Sequence, residues 1–350
     1  MLLLLSALCF GQSNGAFTIQ QGPLLEPADL IWGQGSVVGS PAVFRDEATD
    51  TNGVTFDILF MVYETQTAAS SSACPAGQWG VGMAYSFDGT NFVDLGPIVQ
   101  PGGTTYHNCV AAHPTVASLG NGTAWVVLFK AEQDVDSCTD QGWGCDRYAG
   151  VGRTFFFYQG TTGPGAFQYG FGFTSSQPVL QSVSQDMGYP SIMYAAGEWH
   201  MAFSQNPDLY VTSAPNTTNF TNPGGPVVKA ATSASGWEDD ELFSPSFVCE
   251  SNTSFKLYAG GRDFDPYPTL LKQSVGGFSS SDLSSFTEIA DDYHNTDDDG
   301  FEVRHLDMVT SGGAAGYGAY HTRRVGGSNS IWLGATPGFN WAAIDDKRCP

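Results

Sequence analysis

Ser40-Pro41-Ala42-Val43 returns in altered form four more times: His113-Pro114-Thr115-Val116, Tyr189-Pro190-Ser191-Ile192, Ser244-Pro245-Ser246-Phe247 and His305-Leu306-Asp307-Met308. Each copy opens a short apolar strand, and a second apolar run follows it, at 58–63, 124–129, 199–203, 255–259 and 317–321. The units end in a Gly, Asp or Asn turn that leads to an aromatic residue. The clearest ending is Met83-Ala84-Tyr85-Ser86-Phe87-Asp88-Gly89-Thr90-Asn91-Phe92, which reads as strand, Asp-Gly turn, strand. Weaker echoes stand at 210–220, 273–286 and 332–341.

The openings recur at intervals of roughly 55 to 75 residues, enough for about four strands each, which fits propeller blades better than solenoid turns. Long helical periodicity is missing, and single prolines and glycines interrupt nearly every apolar run, which is costly inside helices and tolerable at strand starts. The expected fold is therefore all-β, a five-bladed β-propeller. A pair of β-sandwiches is the competing architecture, and it leaves the five echoes of one opening unexplained. Composition agrees: in 350 residues, 41% are apolar, only 14% are charged and 43 are glycine, a mix unlike helical bundles and too apolar for disorder.

Residues 1–10 read Met-Leu-Leu-Leu-Leu-Ser-Ala-Leu-Cys-Phe and give way to small and polar residues by Gly15-Ala16. This resembles the apolar core of a signal peptide, though the usual basic start is missing. The expected organisation is a signal peptide over 1–16 and one propeller domain over 17–350. No apolar stretch is long enough to span a bilayer. Without Cys9, six cysteines remain: Cys74, Cys109, Cys138, Cys145, Cys249 and Cys349. Cys138 and Cys145 flank a short acidic, glycine-bearing loop and are the expected local bridge; the other pairings stay open. Sequons at Asn121, Asn216, Asn219 and Asn252 add to the case for a secreted, extracellular glycoprotein.

Acidic residues outnumber basic ones 35 to 13, a formal charge of -22. Such a field repels phosphate backbones and argues against nucleic acid as a partner. Neutral sugars and cations remain compatible with it, as does a simply solvated acidic surface. No phosphate-binding loop precedes a helix, and no Ser or Cys stands in a nucleophile elbow.

In a propeller, the first strand of each blade lines the central channel. The residues before the proline equivalents (Ser40, His113, Tyr189, Ser244 and His305) therefore converge on one funnel. Four positions before the proline equivalent stand Val37, Val110, Asp186, Glu241 and Glu302, so three consecutive units place an acid at one step. Carboxylates gathered in a partly dry funnel repel, and one then keeps its proton. That division of labour suits the acid and base of glycosidic cleavage. Asp186, Glu241 and Glu302 are accordingly the candidate catalytic residues, against the alternative that three acids align by chance in an acidic chain. Candidate substrate-binding residues are His113, Tyr189, His305, Arg304 and Arg262. Trp79, Trp143, Trp237 and Tyr267 are further candidates for stacking on sugar rings.

These repeats resemble the five-bladed propeller glycosidases, the group of arabinanases, β-xylosidases and fructosidases. The ending at 83–92 is similar to the group's Ser-x-Asp-Gly-x-x-Trp/Phe motif, and Gly261-Arg262-Asp263-Phe264-Asp265-Pro266 faintly echoes the Arg-Asp-Pro of the fructosidase branch. The resemblance spans roughly residues 30 to 345. It implies action on polysaccharide or oligosaccharide, and a ligand- or ion-binding role for His113 and His305. The chain departs from the family pattern where Ser40 replaces the Asp before the first proline. It departs again at Gly188-Tyr189, where a second Asp is expected, and at Phe243-Ser244-Pro245, which replaces Glu-Gly-Pro. Two readings follow: a glycoside hydrolase with shifted carboxylates, or a non-catalytic lectin-like or structural glycoprotein of a wall, sheath or filament that self-assembles or binds extracellular proteins. No cofactor is required by either. Asn295-Thr296-Asp297-Asp298-Asp299-Gly300 has the oxygen-rich make-up of a Ca²⁺ loop, but Leu306 stands where the closing Glu belongs. A solvated acidic loop is the simpler reading, with Ca²⁺ as an optional ion.

Overall fold

A computed structural model of the chain describes residues 19–32, 37–49, 54–71, 74, 77–102, 109–120, 124–132, 149–163, 166–173, 177–182, 187–230, 241–263, 272–295, 302–311, 316–325, 328–345, 347 and 349. Twenty strands account for nearly all of its regular structure, and the described residues contain no α-helix. None of their helices is long and apolar enough to cross a membrane.

The five openings lie in β2 (Val38–Thr49), β6 (Val110–Ser118), β11 (Met187–Ala195), β14 (Glu241–Ser251) and β18 (Glu302–Ser311). Each pairs antiparallel with the strand that carries the unit's second apolar run: β3 (Thr55–Ala68), β7 (Ala124–Glu132), β12 (Glu198–Gln205), β15 (Ser254–Asp263) and β19 (Gly316–Val325). β2 packs against β6, β6 against β11, β11 against β14, β14 against β18, and β18 returns to β2. The inner strands thus close a ring.

The core follows the same cycle. Phe44, Phe60 and Met83 of the first unit pack with Val116, Trp125 and Val127 of the second. Further layers join the second unit to the third, the third to the fourth, the fourth to the fifth, and the fifth to the first. Sheets buried on both faces explain the unbroken apolar runs such as Ile58-Leu59-Phe60-Met61-Val62-Tyr63, every member of which is buried. Each such side chain contributes about 1.5–3 kcal/mol of burial.

Hydrogen bonding corrects the expectation of five separate blades: the strands fall into four sheets. β14, β15, β16 (Lys272–Ser280) and β17 (Thr287–Asn295) form one, and β11, β12 and β13 (Asp208–Ala214) another. The first two repeat units share a nine-stranded sheet. A single parallel bridge, Trp79 to Val110, joins β4 (Gln78–Ser86) to β6 there. The Cys74–Cys109 disulfide lies beside that bridge, in a small cluster with Val110 and Ala112 against which Trp79 packs. The fourth sheet holds β18, β19, β20 (Ser328–Ala335) and, as its outer member, β1 (Ile19–Leu25). Its outermost strand therefore comes from the opposite end of the chain, with Gln21 opposite Leu333.

The ending at 83–92 forms strand, loop, strand, but the loop is wider than a two-residue turn, because Tyr85 pairs with Val93 of β5 (Val93–Val99). Asp88 organises that loop. Its Oδ1 accepts the Thr90 and Asn91 backbone N–H groups, and Ser86 Oγ accepts that of Gly89. Ser280 and Asp282 repeat the arrangement in the fourth unit.

The last residues brace the ring. Asp345 N–H donates to the Thr310 carbonyl at 3.0 Å, Tyr194 N–H to that of Lys347 at 3.1 Å, and Cys349 N–H to that of Tyr194 at 2.8 Å. The Cys249–Cys349 disulfide fastens this segment to β14. Cys138, Cys145 and the bridge expected between them lie outside the described residues, as do Asn121 and the loop 296–300. Asn216, Asn219 and Asn252 are exposed.

Candidate functional site

The residue before each proline equivalent adopts one unusual backbone conformation. Ser40, His113, Tyr189, Ser244 and His305 have φ of 45°, 49°, 53°, 50° and 48°, a left-handed region that side chains enter at a cost of about 1–3 kcal/mol. Each also coincides with a shift in pairing register between its inner strand and the next. A bulge of this kind re-aims a side chain, and here all five line one cavity with their prolines, Leu306, Thr115, Ser191 and Asp307. The void itself is about 20 Å³, room for a water molecule or an ion.

Aromatic rings form one wall. The His113 and Tyr189 ring centres are 4.0 Å apart and nearly parallel, His305 lies 5.3 Å from Tyr189, and the two imidazoles are 4.6 Å apart. Beneath them is Glu64 of β3, a buried carboxylate that ends the apolar run of the first unit. Its Oε2 accepts the His113 backbone N–H at 2.8 Å and lies 2.9 Å from His113 Nδ1, while its Oε1 lies 3.6 Å from His305 Nδ1. Ser40 Oγ is a second neighbour of His113 Nδ1, at 2.9 Å. Burial alone would raise the Glu64 carboxyl; the charge and hydrogen bonds of His113, aided by His305, hold it well below the ordinary carboxylate range.

Asp307 is a buried acid that lines the cavity. Its Oδ2 accepts the Val43 N–H at 2.9 Å, its Oδ1 meets Ser246 Oγ at 3.4 Å, and Lys347 Nζ pairs with it. Ser246 Oγ in turn accepts the Met308 N–H, and Ser191 Oγ that of Phe247. Neighbouring inner strands splay apart too far for backbone pairing, so side-chain oxygens satisfy these N–H groups. Four openings carry proline, which has no N–H to satisfy; the fifth has Leu306, whose N–H donates to Ser244 Oγ.

Of the sequence candidates, the structure gathers His113, Tyr189 and His305 around the cavity. Of the three candidate acids, the described residues include Glu241 and the backbone of Glu302. Asp186 lies outside them. Glu241 begins β14 with its backbone opposite Arg262, and Glu302 begins β18 with its backbone opposite Arg324. Arg304 pairs through its backbone with Thr322. The cavity forms three residues further along each inner strand than those acids, at the bulge itself. Glu64 lies one residue beyond the apolar run 58–63 that marks the second strand, so the hydrophobic pattern does not single it out. Its signal was an acid closing six consecutive apolar residues, where nothing suggested solvent. Trp143, Trp237 and Tyr267 lie outside the described residues.

Glu64, His113 and His305 offer ligand atoms that all lie within 4.8 Å of one another, a set that fits a single metal ion.

No family model and no curated protein matches this chain. Its similarities are to solved structures. Bacillus subtilis levansucrase in complex with oligosaccharides superposes with a TM-score of 0.59 at 8% identity, over 89% of this chain and 87% of that one. A thermostable family-43 glycoside hydrolase gives 0.55 at 13% identity, over 87% and 90%. β-1,2-Mannobiose phosphorylase from Listeria innocua, bound to β-1,2-mannobiose, gives 0.55 at 11%, over 89% and 94%. The fold is a β-propeller. At these identities the likeness carries architecture and leaves the chemistry to the site.

Proposed function

We propose that this chain is a secreted, carbohydrate-active propeller, glycoside hydrolase-like, that receives a polysaccharide or oligosaccharide at the axial funnel. Residues 17–350 are its single domain after removal of a signal peptide, and the nine-stranded sheet counts as two of its five blades. The observation that carries the reading is the fivefold bulge: five strained residues from five units face one cavity, three of them the stacked rings of His113, Tyr189 and His305. Strain of this kind persists where the surrounding fold overrules it, and it clusters at functional sites. An aromatic wall beside hydroxyls suits the apolar face and hydroxyl edge of a sugar ring. The likeness to structures bound to oligosaccharide agrees with this.

In the hydrolytic form of the proposal, Asp186, Glu241 and Glu302 at the entrance supply acid, base or nucleophile, and a tuning carboxylate, while Arg262 and Arg304 orient the substrate. A second reading, a lectin-like glycoprotein without turnover, is favoured by one observation. The carboxylate that lines the cavity, Asp307, is committed to Lys347, and the buried Glu64 behind the rings to two histidines. Plant, algal and bacterial polysaccharides screened for reducing-end release separate the two. Hydrolysis should fall by about two orders of magnitude or more in Asp186→Asn, Glu241→Gln or Glu302→Gln. Saturable glycan binding with no release on any substrate would establish the lectin form. Binding unaffected by Tyr189→Ala would remove the funnel from either.

A further inference from the structure

A buried carboxylate facing two imidazoles that line a water-sized void calls for a reason that sugar binding does not supply. We propose that Glu64, His113 and His305 bind one divalent transition-metal ion of the zinc type, with a coordination position open to the funnel. Three observations converge on it.

The donors are right. Two imidazole nitrogens and a carboxylate suit Zn²⁺, Co²⁺, Ni²⁺ or Fe²⁺, whereas Ca²⁺ takes six to eight oxygens. The spacing is right. A tetrahedral ion with bonds of about 2.0–2.1 Å needs ligand atoms about 3.3 Å apart; one ligand atom from each of the three residues lies within 4.8 Å of the others, with His113 Nδ1 2.9 Å from Glu64 Oε2 and His305 Nδ1 3.6 Å from Glu64 Oε1. The support is right. Both histidines sit on strained bulges, and the carboxylate extends from the buried central stretch of β3. Metal sites need ligands locked before the ion arrives. Two of the three ligands, His113 and His305, line the water-sized void, which leaves a further position for water or a substrate oxygen, the pattern of open sites. Loading requires both Nδ1 atoms unprotonated, so any proton shared among His113, Ser40 and Glu64 leaves on binding, and Ser40 Oγ loses its partner.

The inference does not depend on the carbohydrate reading, and its test contains no sugar. The secreted full-length chain, stripped with chelator and dialysed, is titrated with Co²⁺, Zn²⁺ and Ca²⁺. One equivalent of Co²⁺ should give the intense visible bands of a four- or five-coordinate site. Zn²⁺ should bleach them and raise the melting temperature, and Ca²⁺ should do neither. Glu64→Gln and His305→Ala should weaken Zn²⁺ binding by about a hundredfold or more. Should either variant fail to fold, the wild-type cobalt spectrum decides alone. Only the faint bands of octahedral aqueous cobalt, a shift with Ca²⁺ instead of Zn²⁺, or Zn²⁺ binding undiminished in folded variants would overturn the proposal.

Discussion

Asp307 Oδ2 accepts the backbone N–H of Val43 at 2.9 Å, tying the last inner strand of the ring to the first. The same step is made by serine between the third and fourth units and between the fourth and fifth. Of these three acceptors the one at the closure is a carboxylate, and there Lys347 answers it. Removing one member of a buried pair leaves the other uncompensated, at a cost of about 3–5 kcal/mol. Lys347→Met should lose that much stability in urea denaturation, and Asp307→Asn/Lys347→Met less than the sum of the two single changes.

Asp46 on β2 gives a pH signature. Burial raises its carboxyl from 3.8 to about 6. A carboxyl raised by folding favours the folded state while protonated, so its contribution falls as pH climbs from about 4 to 6 and stays lost above. Asp46→Asn should therefore raise the melting temperature at pH 7.5 and leave it unchanged at pH 3.5.

Gly89 sits at φ 74°, and a Cβ there would stand 2.5 Å from Trp341 Cγ. Gly102 has φ 84° with nothing within 4 Å. Gly102→Ala should cost about 1 kcal/mol, the backbone penalty alone. Gly89→Ala should cost clearly more by thermal denaturation, the excess measuring displacement of Trp341.

The Cys249–Cys349 bridge spans a sequence separation of 100 residues. Cys249→Ser/Cys349→Ser should destabilise the protein by about 2–5 kcal/mol. If the terminal segment braces the ring through this bridge, protease should then cut first near Lys347.

What the sequence made readable followed from chemistry that repeats. Four of the five inner strands carry a proline just after the bulged residue, the fifth keeps the rest of the pattern with Leu306, and the second strands fall where the apolar runs lie. His113, Tyr189 and His305 were found because they share one step of that repeat. Glu64 could not be, since it belongs to a single unit and is defined by partners 49 and 241 residues away. The proposed acids share a step of the repeat as well: Glu241 and Glu302 stand at equivalent strand starts, three residues before the bulge. Sheet count also escaped, because one bridge between Trp79 and Val110 merges two units.

The pairing of β1 with β20 has a consequence for how the molecule is made. The first described strand belongs to the last sheet, so it must wait, extended and unclaimed, until its partner at Ser328–Ala335 has emerged. Ring closure cannot precede the synthesis of that strand. Until then Ile19–Leu25 is an orphan β-segment that a holdase must shield or a neighbouring nascent chain can capture.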